Sequence, residues 1–227
     1  MSTVGGGTNI VTSGMIVCMD GINLNSYVSG STIWYDMSRN SNHGTLVNGA
    51  GFDGAKGVGV SFNGTNSYMD IVSSQINAAT TLTIDADIKW NAANGGMFLG
   101  FNTYDIWTQS NTLGYNNGAS NVVGISAATV TALGLIGNYR HYTFTMNTTG
   151  LLSANKIHIN GVEQVLTAVV AADGNAQAFG TTLRLASWPN TGYHGNVTYA
   201  NLKIYNRALT QAEITQNFNA TRTRYNL

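Results

Sequence analysis

Charged side chains are unusually scarce in this 227-residue chain. Asp, Glu, Lys and Arg make up 9% of it, against about 25% in an ordinary soluble domain. The ten basic and ten acidic residues are scattered singly and cancel to a net charge of zero. A nucleic-acid-binding face needs clustered Lys and Arg, so we expect no nucleic-acid partner. The polar surface must instead be built from Asn, Thr, Ser and Gly.

Cysteine, proline and long apolar runs are also nearly absent. The single cysteine, Cys18, lies in an apolar run and cannot form an intrachain disulfide. No stretch reaches the roughly 18 apolar residues that a transmembrane helix needs, so no membrane partner is expected. Residues 1–10 lack the positive and apolar regions of a secretory signal. This start favours either a chain whose signal was removed or one assembled inside a cell and released in a particle.

What the chain has in quantity is short apolar alternation bounded by turn signals. Residues 82–90 alternate cleanly, and residues 141–146, 157–159, 183–185 and 200–204 repeat the pattern. Five Asn-Gly pairs supply positions where a positive φ costs little. Short half-buried strands at turn spacing predict an all-β chain folded as a two-layer sandwich of antiparallel strands.

One short helix is predicted near the C-terminus. Thr210 and Glu213 have the spacing of a capping box, and Ile214 and Phe218 then form one apolar stripe. The helix should extend to about Ala220. Residues 1–13 are rich in Gly, Thr and Ser and are predicted to form an N-terminal arm. Composition shifts nowhere after them, so residues 14–227 are predicted to form a single domain.

Four segments resemble the laminin-G-like branch of the concanavalin A-like lectin/glucanase superfamily. Residues 34–44 are similar to its W-x-D-x-S-x-N-x-N-x-G loop, and residues 61–68 to its F-x-G-x-x-x-Y strand entry. Residues 158–161 look like its Asn-Gly hairpin, and residues 195–214 like its closing strand and helix. The resemblance implies a concanavalin A-like jelly roll. That fold hosts lectins, glycosidases, adhesive modules and particle coats, so it does not choose among functions.

A narrower likeness concerns the two ends of the chain. Residues 7–16 and 216–227 look like those of laminin-G-like virion proteins of tailed bacteriophages. This implies a structural protein, either a capsid decoration or fibre-associated. Its partners would be the phage capsid or other virion proteins and further copies of itself in a homo-oligomer. It would be located in the virion after assembly in the host cytoplasm. The alternative is an extracellular carbohydrate-binding, lectin-like module that acts on a glycan at a host cell surface, with or without calcium.

Sugar binding calls for exposed aromatic rings flanked by amides and hydroxyls. Trp107, Tyr115, Trp188 and Tyr193 lie in loop-like segments of that composition, where binding residues concentrate. We therefore take these four as candidate carbohydrate-binding residues. The alternative is that the same rings cap the core or fill a subunit interface.

A calcium site is the one metal site that the sequence suggests. Asp36, Ser38 and Asn40 place oxygen-bearing side chains at alternate positions of one loop, and Ca²⁺ takes six to eight oxygen ligands. The alternative is that these side chains bond their own backbone in turns. No cofactor is expected to be required, and a structural calcium is allowed.

Catalysis is not expected, because the E-x-D-x-x-E motif of the superfamily's glucanases is absent. The one rival is the pair Asp85 and Asp87, about 7 Å apart on one strand face, which a glycosidase could use. We expect them instead to be a solvated pair on the outer face, near Lys89. His141 and His158 are expected to be surface neighbours on adjacent strands.

Overall fold

The computed structural model describes residues 9–93, 95–117, 121–148, 151–170, 177–189 and 192–225. Three α-helices lie within these residues: α1 (Ser74–Ala78), α2 (Ala127–Ala132) and α3 (Gln211–Tyr225). The strands, in chain order, are β1 (Met15–Asp20), β2 (Ile33–Trp34), β3 (Gly44–Val47), β4 (Gly51–Phe52), β5 (Val60–Ser61), β6 (Tyr68–Val72), β7 (Thr81–Ala92), β8 (Met97–Gly100), β9 (Asp105–Trp107), β10 (Leu113–Asn116), β11 (Val123–Ile125), β12 (Tyr139–Asn147), β13 (Lys156–Ile159), β14 (Val162–Glu163), β15 (Thr167–Ala168), β16 (Thr182–Leu185) and β17 (Asn196–Tyr205).

These strands form two antiparallel sheets. Sheet A has the order β14-β13-β12-β7-β17-β5-β4, with β1 paired to the C-terminal half of β17. Sheet B has the order β15-β11-β10-β9-β8-β16-β6-β3-β2. The predicted all-β sandwich with one C-terminal helix is confirmed. In the described part of the chain, no helix is long and apolar enough to span a bilayer.

The core lies between the inner faces of the two sheets, as the alternation predicts. Phe98 of sheet B is at its centre, with its ring edge-on to Trp90, Tyr142 and Phe144 of sheet A at centroid distances of 5.5, 5.4 and 6.3 Å. All four rings are buried. Edge-to-face packing adds to the stabilisation that burial of the rings already gives.

Helix α3 packs on the outer face of sheet A over β7 and β12, so the central part of this sheet is buried on both sides. Thr83 Oγ1 donates to the Arg207 carbonyl at 2.7 Å and accepts from Leu209 N at 3.1 Å, which holds the segment before the helix. The fully buried Asn217 accepts from Val11 N at 2.9 Å and donates to the Tyr205 hydroxyl at 3.0 Å. Part of the predicted arm therefore packs against the helix. Residues 1–8 lie outside the described part of the chain, and the domain boundary after residue 13 stays a prediction.

The predicted capping box is present at the start of α3. Glu213 N donates to Thr210 Oγ1 at 3.3 Å, and Thr210 N donates to Glu213 Oε2 at 2.9 Å. Arg207 adds two hydrogen bonds to the same carboxylate at 2.9 and 2.7 Å. The helix continues to Tyr225, beyond the expected end at Ala220. The additional turn is held by Thr221 and Tyr225, which are buried against the body of the protein.

Replacing the cap should loosen the helix by a measurable amount. We expect Thr210→Ala to lower the free energy of unfolding by about 1 kcal/mol in urea denaturation, because the N–H of Glu213 loses its acceptor. Thr223→Ala, an exposed position later in the same helix, is the control and should not lower it. A loss no larger for Thr210→Ala than for Thr223→Ala would contradict the assignment of the cap.

Candidate functional site

Three of the four predicted sugar-binding aromatics meet on the outer face of sheet B. The Tyr193 ring centroid lies 5.2 Å from that of Trp107 and 6.3 Å from that of Trp188, with edge-on geometry in both pairs. Trp107 belongs to β9, whereas Trp188 and Tyr193 belong to the segment that joins β16 to β17. We call Trp107, Trp188 and Tyr193 the aromatic surface.

The three rings differ in exposure. Trp107 is only 7% exposed: its Nε1 donates to the Gly95 carbonyl at 2.7 Å, and its ring packs with Met97 and Val122. Tyr193 is 51% exposed. The Trp107 ring is therefore fixed and largely buried, whereas the Tyr193 ring is accessible to a ligand. Trp188 has an intermediate exposure.

The segment that carries Trp188 and Tyr193 is held closely to the sheet. Ser187 Oγ donates to the Gly192 carbonyl at 2.9 Å, closing the segment on itself. Trp188 Nε1 donates to the Asn102 carbonyl at 2.9 Å. Tyr193 has a φ of 51°, in the left-handed region that residues other than glycine rarely adopt. A backbone strained in this way at an exposed aromatic is a feature often found at binding sites.

A cleft of about 440 Å³ is lined in part by Pro189, which follows Trp188, and by Asn102, to which Trp188 is hydrogen-bonded. It offers a ring, an amide, a hydroxyl and an ion pair within one concavity. Its volume is in the range of small-ligand sites, and most of its lining residues are polar. Its lining includes Asp70, Asn102, Phe179, Thr182, Arg184 and Pro189.

The ion pair in the cleft joins two neighbouring strands of sheet B. Arg184 Nε and Nη2 donate to the two oxygens of Asp70 at 2.7 and 2.8 Å, in a bidentate arrangement. Its Nη1 donates to the Pro189 carbonyl at 3.1 Å, and the guanidinium lies 3.8 Å from the centroid of Tyr68. The hydrogen bonds to Asp70 raise the pKa of Arg184. The cation is thus held by a carboxylate, a carbonyl and a ring at once.

A second carboxyl, Asp105, lies two strands away in the same row of outward positions. Strand pairing sets Asp70 opposite Arg184, Arg184 opposite Gly100, and Gly100 opposite Asp105. Asp105 is 1% exposed, and its Oδ1 has no hydrogen-bond partner among the described residues. Burial raises its pKa well above the usual value. A buried carboxyl oxygen without a partner is costly in a purely structural role.

Tyr115 does not join the aromatic surface. It is fully buried between the sheets, and its hydroxyl donates to the carbonyl oxygens of Thr145, at 3.1 Å, and Lys156. Successive side chains of β10 alternate between faces, so Tyr115 points inward where Gly114 and Asn116 point outward. For this residue the alternative, a ring that fills the core, describes the structure.

The Asp36 loop is organised by its own hydrogen bonds. Asp36 Oδ1 accepts from the backbone N of Cys18 and of Ser38, each at 2.8 Å, and Oδ2 accepts from Ser38 Oγ at 2.8 Å and Asn42 N at 3.0 Å. Asn40 Nδ2 donates to Ser38 Oγ at 2.9 Å. The three predicted ligands do lie together, but these contacts are those of the turn-bond alternative. Calcium at this loop stays a prediction.

Asp85 and Asp87 are not the solvated pair that was expected. Both are fully buried under α3, and the imidazole of His141 bridges them, with Nε2 3.0 Å from Asp85 Oδ2 and Nδ1 2.7 Å from Asp87 Oδ1. Lys203 Nζ donates to Asp85 Oδ1 at 3.0 Å, and Asn201 Nδ2 donates to Asp87 Oδ2. We call these five residues the buried ion network. No substrate could reach its carboxylates, because the helix covers them.

Charges within the buried ion network compensate one another. Burial opposes ionisation, but His141 and Lys203 outweigh it and hold the pKa of Asp85 far below its usual range. The two carboxylates likewise raise the pKa of His141 to about 9 and raise that of Lys203. Two anions and two cations therefore coexist without water. His158 is also buried, so the expectation that His141 and His158 are surface neighbours was wrong.

Sequence reasoning missed the cleft residues Asp70, Asn102 and Arg184. The signal for two of them was present: Asp70 and Arg184 occupy outward positions of strands whose apolar residues point inward. What could not be read was that β6 and β16, more than a hundred residues apart, are neighbours in sheet B.

Several solved structures of other proteins share the fold of this chain. The chain matches Trypanosoma rangeli sialidase in complex with sialic acid at a TM-score of 0.67 and 16% identity, covering 97% of this chain and 35% of that chain. It matches the binding domain of Botulinum Neurotoxin DC in complex with SialylT at 0.62 and 13%, covering 92% and 52%. It matches the botulinum neurotoxin serotype D/C VPI 5993 binding domain at 0.60 and 15%, again covering 92% and 52%. The chain thus spans about a third of the sialidase and about half of the toxin chains.

These matches correct one expectation. The chain was expected not to be an enzyme, but several of the solved structures that share its fold are sialidases, which are enzymes. The fold therefore gives no ground for excluding catalysis, and at 16% identity it assigns no reaction either. These matches show no link to a phage. No family model and no curated protein matches the chain. What the likeness shows is the fold alone, a two-sheet β-sandwich.

Proposed function

We propose that this chain is a carbohydrate-binding, lectin-like protein and that its site is the aromatic surface with the adjoining cleft. The observation that carries the proposal is the convergence of Trp107 and Trp188 on the half-exposed ring of Tyr193. A flat ring can lie against the apolar face of a sugar, and the cleft beside it supplies the polar groups that fix orientation.

Two further facts support this choice. The solved structures that share the fold include a sialidase in complex with sialic acid and a toxin binding domain in complex with SialylT. The polar lining of the cleft also provides donors and acceptors of the kind that sugar hydroxyls need. The site would act outside the cell, at a surface that carries glycans. The virion location, the phage partners and self-association stay predictions.

The proposal is tested on an array of immobilised glycans, run with and without calcium because of the Asp36 loop. We expect a defined set of glycans to bind, and Tyr193→Ala to weaken their binding by about tenfold or more, since an aromatic at the centre of a site carries much of its affinity. Trp188→Ala should act in the same direction.

The matched control is Tyr35→Ala. Tyr35 is 42% exposed and follows β2, at the far edge of sheet B from β9. Its removal should leave glycan binding unchanged. An array without binding, or a Tyr193→Ala variant that binds as tightly as the parent, would reject the proposed function.

A further inference from the structure

We infer that the site accepts neutral sugars and rejects acidic ones. This inference rests on the proposed function and names its substrate class. It separates this chain from the solved structures that share its fold and are named with sialic acid or SialylT.

Arg184 is the one cation among the described residues that line the cleft. A sugar carboxylate is usually held by a guanidinium or ammonium group that has donors to spare. Arg184 has few: Asp70 takes Nε and Nη2, the Pro189 carbonyl takes Nη1, and the Tyr68 ring covers one face of the guanidinium. An incoming carboxylate could reach only the two remaining N–H groups, and the carboxylate of Asp70 would repel it.

The sequence segments that form the site contain no Lys or Arg other than Arg184. Between Lys89 and Arg140 the sequence contains no Lys or Arg at all, and between Lys156 and Lys203 it contains Arg184 alone. These two stretches supply β8–β11, β16 and every ring of the aromatic surface. His194 lies nearby, with its ring stacked on Tyr68, but burial lowers its pKa, so it is neutral at physiological pH.

Asp105 is the only charged residue between Lys89 and Arg140 in the sequence. It lies two strands from Arg184 with an unpartnered, buried Oδ1. When ionised it repels an anion, and when protonated it supplies no positive charge to attract one. In neither state does it attract an acidic sugar. The face is therefore polar, aromatic and without available positive charge.

The test compares one glycan with and without a terminal sialic acid. A galactose-terminated glycan and the same glycan capped by α-linked sialic acid are titrated against the intact protein by calorimetry. We expect the neutral form to bind and the sialylated form to bind at least about tenfold more weakly, because a carboxylate would be desolvated without a partner. Equal or tighter binding of the sialylated form would overturn the inference and leave the proposed function standing. If neither of these two binds and the array of neutral and acidic glycans is also silent, the proposed function itself fails.

A charge variant sharpens the comparison. Asp70→Asn removes the carboxylate that holds Arg184, so the ratio of neutral to sialylated affinity should fall by about tenfold, because the released guanidinium can now pair with the sugar acid. Asp53→Asn makes the same change of charge on the loop after β4, in sheet A, and should leave the ratio unchanged. The same ratio in both variants would contradict the role of Asp70. Should Asp70→Asn not fold, the salt dependence of the parent decides. Binding of the neutral glycan should be insensitive to ionic strength, and a marked loss at high salt would contradict the inference.

Discussion

The substitution Asp85→Asn is expected to lower the free energy of unfolding by about 3–5 kcal/mol, because it leaves a positive charge buried without a partner. In the folded protein Asp85 accepts hydrogen bonds from His141, Lys203 and Thr143 and has no contact with water. The asparagine keeps the size of the side chain but not the charge. The measurement is equilibrium urea denaturation followed by circular dichroism at pH 7.

The control for this prediction is an ion pair of the same type at the surface of the same sheet. Lys156 Nζ lies 3.0 Å from Glu163 Oε2, with the two side chains 52% and 48% exposed. Glu163→Gln should cost less than about 1 kcal/mol, since water screens such pairs.

A double variant separates the charge effect from simple loss of packing. Lys203→Met alone should destabilise the protein, but Asp85→Asn combined with Lys203→Met should cost less than the sum of the two single losses, because one anion and one cation leave together. Additive losses, or an Asp85→Asn variant within about 1 kcal/mol of the parent, would show that the carboxylates do not depend on their partners.

Stability should fall as the pH rises from 6.5 to about 9. The pKa of His141 is raised from 6.5 to about 9 in the folded protein by Asp85 and Asp87, which outweigh its burial. Because the pKa of His141 is higher in the folded than in the unfolded protein, its stabilising effect is fully present below the pKa of the unfolded state. The effect is lost as the pH rises through the pKa of the folded state. The loss should be on the order of 3 kcal/mol across this window.

Nuclear magnetic resonance checks this directly. The His141 ring should stay doubly protonated at pH 7.5, when an ordinary histidine has lost most of its charge. His158 provides the internal contrast, because burial lowers its pKa. A His141 ring that titrates near pH 6.5 would contradict a cationic imidazole between the two carboxylates. In acid the pH dependence of stability has the opposite direction. The pKa of Asp85 is lowered, so its contribution to the free energy of unfolding is present above pH 4 and is lost only in strong acid.

Helix α3 and strand β7 show which structural features the sequence predicts correctly. The capping box at Thr210 and Glu213 is read from residues within one turn, and the structure contains it because those contacts are local. The alternation of β7 was also correct, with Ile84 and Ile88 buried on the core side. The opposite face was misjudged, because the alternation that marks a polar face cannot tell whether a distant helix will cover it.

The aromatic surface likewise shows that local sequence does not reveal which side chains are buried. Trp107, Trp188 and Tyr193 were each selected by local composition, and so was Tyr115, which the structure places in the core. Local composition marks a loop-like segment but not the direction in which its ring points. For Tyr115 that direction is set by the pleat of β10 and by which face of sheet B packs against sheet A.

The sequence by itself determined the class of fold: short amphipathic strands between turn signals, one capped helix, and a surface of amides and hydroxyls instead of ions. Those features depend on neighbours within a few residues, so they can be read along the chain. Tertiary structure alone decided which polar groups are buried as a balanced ion network and which rings and carboxyls meet on sheet B. The physical reason is that strand order joins residues such as Asp70 and Arg184 across a hundred positions, and no local pattern encodes that pairing.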